Sequence, residues 1–187
     1  MNITRPINGF LVLVKTYWSL LLILSAAFLF ATKTSFNIPV YIMALLGFYK
    51  IIDNYSVIRT PEMRFVCILF FSIWLPMLFS LTDAVNLPHS LKTTLPYLRF
   101  LFTAVFIIEE VKKNDAFNPL VFGIAIIVSF WCVDALFQFF VGVDIFGYPM
   151  RDGSVGGLFS PKGTLPHVLA ILSPVYFEIV RRHHSKH

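Results

Sequence analysis

Residues 120–159 read LVFGIAIIVSFWCVDALFQFFVGVDIFGYPMRDGSVGGLF, and this stretch decides the fold. Its first part, 120–141, is almost entirely apolar, and about 20 such residues in a helix cross the ~30 Å hydrocarbon core of a bilayer. Its second part has five glycines between Gly142 and Gly157, with Pro149 among them, which is typical of a structured loop. The stretch therefore predicts a membrane-spanning helix followed by an ordered loop outside the hydrocarbon.

The composition of the whole chain agrees with a lipid environment. Hydrophobic residues make up 57% of the 187 residues, charged residues make up 13%, and the mean hydropathy is +0.77. A soluble domain carries about 25% charged residues, because most of its surface must face water. The composition therefore excludes a water-soluble globule, a disordered chain and a nucleic-acid-binding module, although the net charge is +5. The two cysteines stand inside apolar runs and indicate no disulfide framework.

Six apolar stretches predict an all-α, polytopic membrane protein with about six transmembrane helices. We expect one transmembrane domain over residues 1–187 and an outer loop over 142–164, the longest connection that is not apolar. The predicted spans are 16–31, 38–52, 65–81, 95–111, 120–141 and 165–180.

The distribution of basic residues predicts the orientation of these spans, because short cytoplasmic loops accumulate Lys and Arg. With six spans and both termini in the cytoplasm, ten of the 15 basic residues fall on the cytoplasmic side. Those ten are Arg5, Lys15, Lys50, Arg59, Arg64, Lys112, Lys113, Arg181, Arg182 and Lys186. The remaining five, on the outer side, are Lys33, Lys92, Arg99, Arg151 and Lys162.

Asp134, Gln138 and Arg99 are candidate site residues within predicted spans. Asp134 and Gln138 are one helical turn apart on the same face of the fifth span. An ionisable group at that depth costs at least ~2.5–3.5 kcal/mol on insertion scales, so it should face protein or water. Arg99 enters the fourth span at a similar depth from the outer side, and we expect it to interact with Asp134. Such a pair has two interpretations: a structural link between helices, or part of a substrate-binding site.

The outer loop offers two more candidate binding residues, Arg151 and Lys162, on either side of the stretch that contains Gly153, Gly156 and Gly157. Guanidinium groups and backbone amides suit a phosphate or pyrophosphate, although Asp152 could neutralise Arg151 and Lys162 could simply lie at headgroup level.

Glu109 and Glu110 end the fourth span beside two lysines, a pattern typical of a solvated helix end. No nucleophile with a base and no metal-ligand spacing is present, so the sequence predicts no catalytic residue, metal or cofactor in this chain.

About half of the chain resembles the O-antigen ligase and polymerase superfamily of bacterial inner-membrane proteins. The resemblance lies in the segment from Val133 to Ile179 and in one step of the preceding span. In chain order the matching features are Leu98-Arg99, Asp134, Gln138, Gly142-Val143-Asp144, Arg151, Gly157-Leu158-Phe159, Pro161 and the Leu172-Ser173-Pro174 step.

The resemblance implies a metal-independent glycan transfer at the periplasmic face of the inner membrane. A ligase moves a glycan from undecaprenyl pyrophosphate onto lipid A-core, and a polymerase moves it onto another repeat unit. Arg151 best matches the loop arginine that holds the pyrophosphate. It stands farther from the Gly157-Leu158-Phe159 step than the family arginine usually does, and Ser154 occupies the position closer to that step.

The resemblance covers only the N-terminal half of the family fold. The family's large periplasmic loop, with its catalytic histidine, lies beyond the matched region. We therefore expect a truncated or split ligase that is inactive alone and has a separate C-terminal half as its partner. The alternatives are a fragment of an O-antigen polymerase, and a non-catalytic membrane transporter or assembly subunit.

Overall fold

A computed structural model describes residues 4–32, 34–113, 116–150, 153–159 and 164–184. The described residues form helices and no β-strand, which confirms the predicted all-α class; Val143 and Pro149 form an isolated bridge. Short 3₁₀ turns cover Tyr55–Arg59 and Gly157–Phe159. The α-helices are α1 (Thr4–Leu29), α2 (Asn37–Asp53), α3 (Pro61–Phe79), α4 (Leu87–Thr94), α5 (Leu98–Lys113), α6 (Phe117–Val141) and α7 (Leu165–His184).

Three helical segments of the described chain are long and apolar enough to cross a bilayer, so this is a membrane protein by helix length and composition. They are α3, the continuous segment Leu87–Lys113 that contains α4 and α5, and α6. Shorter apolar helices cover Tyr17–Leu29 and Leu165–Glu178. Three of the six predicted spans thus coincide with candidate spans, and the six-span topology stays a prediction.

Local sequence explains where the spanning helices begin and end. Thr60 accepts a hydrogen bond from the amide of Met63 at the start of α3 (3.4 Å), and Pro61 occupies the first turn, where no amide donor is needed. Gly142 ends α6 in the left-handed conformation with φ of 87°, which a residue with a side chain adopts only at a cost. The predicted loop 142–164 consequently begins where α6 ends.

The chain divides into two compact units. The first contains Met1–Ile23 and Asn37–Asp115, and the second contains Leu24–Phe36 and Ala116–His187.

In the first unit, α2 packs along α5 at close range. Gly47 lies against the backbone carbonyl of Phe102, where a Cβ atom would collide with it. The Thr103 hydroxyl also donates a hydrogen bond to the carbonyl of Val40 (3.2 Å). A small residue at the contact and a hydroxyl bond between helices are the means by which helices associate in lipid, where the hydrophobic effect does not drive them together.

Glu110 on α5 is buried, so the prediction of a solvated helix end is wrong for this residue. Its side chain accepts a hydrogen bond from Lys50 of α2 at 2.5 Å and another from Ser19 of α1. The residue retains only 7% of its accessible surface. The partners come from other helices, and the pattern around Glu110 itself gives no sign of them.

The polar contacts of the first unit also fix the relative directions of its helices. Lys112 near the end of α5 pairs with Glu62 at the start of α3 (2.7 Å). Near the other ends of these helices, the Trp74 indole donates to the carbonyl of Thr94 (3.0 Å). This contact satisfies a carbonyl at the turn where Pro96 separates α4 from α5. Thus α3 runs antiparallel to α5, while the Lys50 contact makes α2 parallel to it.

The second unit has its own core, formed where α6, the outer loop and α7 meet. Trp131 of α6 contacts Phe159 of the loop edge to face, with ring centroids 5.0 Å apart, and each retains only 1% of its accessible surface. The other buried members of this core are Ala31, Val128, Leu165 and Val168. The loop is therefore anchored by an aromatic side chain as well as by the hydrogen bonds described below.

Two glycine-to-alanine substitutions should differ strongly in their effect on stability. Gly47→Ala places a methyl group against rigid backbone, and we expect destabilisation of about 1–3 kcal/mol. Gly123→Ala meets only the terminal methyl groups of Leu24, at 2.7 Å, which can rotate away, so the loss should be below about 1 kcal/mol. Unfolding of each variant in mixed detergent micelles measures the difference. Equal stability of the two variants would contradict the close α2–α5 contact.

Candidate functional site

Asp134 is completely buried on α6, and its carboxylate accepts hydrogen bonds from two loop amides. Oδ1 accepts from the amide of Ile145 at 2.9 Å, and Oδ2 accepts from the amide of Leu158 at 2.7 Å. Amide donors stabilise the charged form of a carboxylate, and so offset part of the cost of its burial. The side chain thereby connects the helix to both ends of the described loop.

Gln138 lies one turn farther along α6 and is also completely buried. Its Oε1 accepts from the amides of Gly156 and Gly157, both at 2.8 Å, and its Nε2 donates to the carbonyl of Tyr148 at 3.0 Å. The predicted shared face of Asp134 and Gln138 is thus the face that holds the loop. Four loop amides donate to these two side chains. We use the term loop clasp for Asp134, Gln138 and those four amides.

The clasp requires glycine at position 157. Gly157 has φ of +51°, and a Cβ atom there would stand 2.7 Å from Oδ2 of Asp134. A side chain at this position would be strained in its backbone and would displace the carboxylate. The glycine-rich pattern, read from the sequence as a possible phosphate cradle, serves here to bring backbone amides close to α6.

Asp144 organises the first half of the loop, and sequence reasoning did not place it among the site residues. It retains 2% of its accessible surface, and its Oδ1 accepts from the amides of Phe146 (3.0 Å) and Tyr148 (2.7 Å). Its Oδ2 is buried without a hydrogen-bond partner. An aspartate followed by a glycine-containing turn is the local signal that could have identified this role.

The clasp makes Asp134 and Gln138 positioning residues for the loop. The four amides that they engage donate to side chains, so these amides are directed at α6 and do not need a phosphate acceptor. Contact of either side chain with a substrate stays a prediction. Arg151 and Lys162, the predicted loop residues for pyrophosphate, lie outside the described residues.

Arg99 belongs to the first unit and has an aromatic environment. Its guanidinium carbon lies 4.8 Å from the ring centroid of Tyr41 and 4.9 Å from that of Phe100, distances typical of cation–π contacts. Its Nε is buried without a hydrogen-bond partner, and the ion pairs found among the described residues do not include it. The predicted pair of Arg99 with Asp134 would join the two units and stays a prediction.

Comparison of the chain with protein-family models, with curated proteins and with solved structures found no match. Within the described ranges, no three His, Cys, Asp or Glu side chains stand together as metal ligands. The geometry of the clasp and the environment of Arg99 therefore carry the functional argument.

Two substitutions at Gln138 should separate its role as a hydrogen-bond acceptor from its role as a donor. Gln138→Leu removes the acceptor for Gly156 and Gly157, and leaving buried amides unpaired costs about 1–3 kcal/mol. We expect amide hydrogen exchange in residues 153–159 to accelerate by roughly tenfold or more. Exchange measured by mass spectrometry on the full chain tests this.

Gln138→Glu is the matched control, because it keeps an acceptor for the two glycine amides and loses the donor to Tyr148, while it adds a second buried carboxyl group one turn from Asp134. Protection should persist at 153–159 and weaken around 148. Unchanged exchange in the leucine variant would show that the clasp does not hold the loop.

Proposed function

We propose that this chain is a membrane component of lipid-linked glycan transfer, of the O-antigen ligase type, and that it binds undecaprenyl pyrophosphate through Arg99. The observation that carries the proposal is the Arg99 guanidinium, which lies in a membrane-type helical segment against two aromatic rings, with its buried Nε unpartnered. The sequence resemblance around α6 and the outer loop supplies the substrate class.

A guanidinium at this location needs an acceptor. Placing an arginine within the hydrocarbon costs about 2.5–3.5 kcal/mol on insertion scales unless it is paired or reaches the interface. The rings of Tyr41 and Phe100 stabilise the cation through their faces but accept no ordinary hydrogen bonds from its N–H groups. A phosphate or pyrophosphate oxygen matches the remaining donors, because guanidinium groups bind such oxyanions with short, charge-assisted hydrogen bonds.

The helix directions support an outer-face location for Arg99. Lys112 and Lys113 end α5, and the positive-inside rule assigns that end to the cytoplasm. Arg99 lies about 20 Å away along the helix axis, at the opposite end of α5. The parallel course of α2 and α5, with α3 antiparallel between them in the chain, is what successive crossings require. It favours the proposed topology of six spans in the bacterial inner membrane with both termini in the cytoplasm.

In this proposal the outer loop offers a second set of candidate binding residues. Asp134 and Gln138 hold its backbone in place, and Arg151 and Lys162 contribute positive charge to the same loop. The acceptor is lipid A-core in the ligase reaction. We assign the catalytic base to the part of the family fold that the resemblance does not cover.

Binding of undecaprenyl pyrophosphate to the full chain in nanodiscs tests the role of Arg99. Loss of charge-assisted hydrogen bonds worth about 1.5–3 kcal/mol predicts that Arg99→Gln weakens binding roughly ten- to a hundredfold. Undecaprenol, which has the same chain and no phosphate, should bind both proteins equally and weakly. Native mass spectrometry of the loaded nanodiscs reads out the bound lipid.

Arg59→Gln is a suitable control, since Arg59 also contacts an aromatic ring, that of Tyr55 at 5.7 Å, but it is exposed and ends the 3₁₀ turn before α3. It should leave binding unchanged. Equal affinity for the pyrophosphate and the alcohol, or equal losses in the two arginine variants, would contradict the proposed function.

A further inference from the structure

The first half of the outer loop, residues 142–150, folds back on itself as a compact hairpin. The amide of Asp144 donates to the carbonyl of Tyr148 (3.0 Å), and the amide of Met150 donates to the carbonyl of Gly142 (3.1 Å). Inside the hairpin, the carboxylate of Asp144 and the side chain of Gln138 fix the backbone from two sides. The hairpin therefore has a defined outer surface.

That outer surface is apolar. The exposed fractions are 50% for Ile145, 55% for Phe146 and 47% for Tyr148. The single charged residue between 142 and 150 is Asp144, which is 2% exposed. A loop surrounded by water normally presents charged or polar side chains, and this hairpin presents none that is charged.

The apolar hairpin directly follows the exposed, apolar end of a helix that is long and apolar enough to span a membrane. The last residues of α6 are strongly exposed, at 60% for Phe139, 80% for Phe140 and 55% for Val141, and Gly142 follows directly. The helix is long and apolar enough to cross a bilayer, so its exposed end is suited to contact with lipid. The exposed apolar side chains of the hairpin come next in the chain.

We propose that the hairpin is an interfacial anchor that lies in the bilayer surface next to the end of α6. Ile145 and Phe146 contact the acyl chains, and Tyr148 lies at headgroup level, where amphipathic aromatic rings are enriched. The anchor holds the rest of the loop at the membrane surface. This role does not depend on the proposed glycan-transfer function.

Spin labels attached to single cysteines in the full chain test the anchor. In a Cys67→Ala, Cys132→Ala background, Phe146→Cys and Ile145→Cys provide two sites whose side chains are exposed and so can change without disturbing packing. Asp83→Cys provides a control in the exposed turn after α3. Each variant is reconstituted in vesicles of phosphatidylcholine and phosphatidylglycerol and checked for native helicity.

Collision with oxygen, which concentrates in lipid, and with a water-soluble nickel chelate distinguishes the possible environments. For each label we take the ratio of its collision rate with oxygen to its collision rate with the nickel chelate. We expect this ratio at positions 145 and 146 to be at least five times the ratio at position 83. Nickel access at 145 and 146 equal to that at 83 would place the hairpin in water and overturn the proposal. Low access to both reagents would mean that protein covers the hairpin, and would overturn it as well.

Discussion

Hydrogen bonding between the buried face of α6 and the outer loop is the interaction on which the second unit depends. Asp134 and Gln138 lie one turn apart, and together they accept hydrogen bonds from four backbone amides of residues that follow them in the chain. A polar group in a membrane helix needs a partner because hydrocarbon offers none. Here the loop is the partner, so burial of the polar side chains is coupled to folding of the loop.

The first unit handles its polar groups in two different ways. Glu110 is paired within the helix assembly, with Lys50 and Ser19, and contributes to packing. Arg99 is held by aromatic faces and keeps its hydrogen-bonding capacity. This contrast separates a structural ion pair from a candidate ligand-binding group, although both residues lie on α5.

The sequence predicted the elements that depend on local pattern. The apolar run 120–141 ends at the observed end of α6, and helical spacing placed Asp134 and Gln138 on one face. It could not predict their partners, because Leu158 lies 24 residues after Asp134 and is brought close only by turns with positive φ, including that at Gly157. The burial of Glu110 was missed for the same reason, since Lys50 lies 60 residues away in the chain.

The most direct measurement of the central claim is amide exchange at individual residues of the unmodified protein in micelles, followed by NMR. If the clasp holds, the amides of Ile145, Gly156, Gly157 and Leu158 exchange as slowly as helical amides in the last turns of α6, although they lie outside any α-helix. Exchange of these four amides at the rate of an unstructured chain would contradict the account.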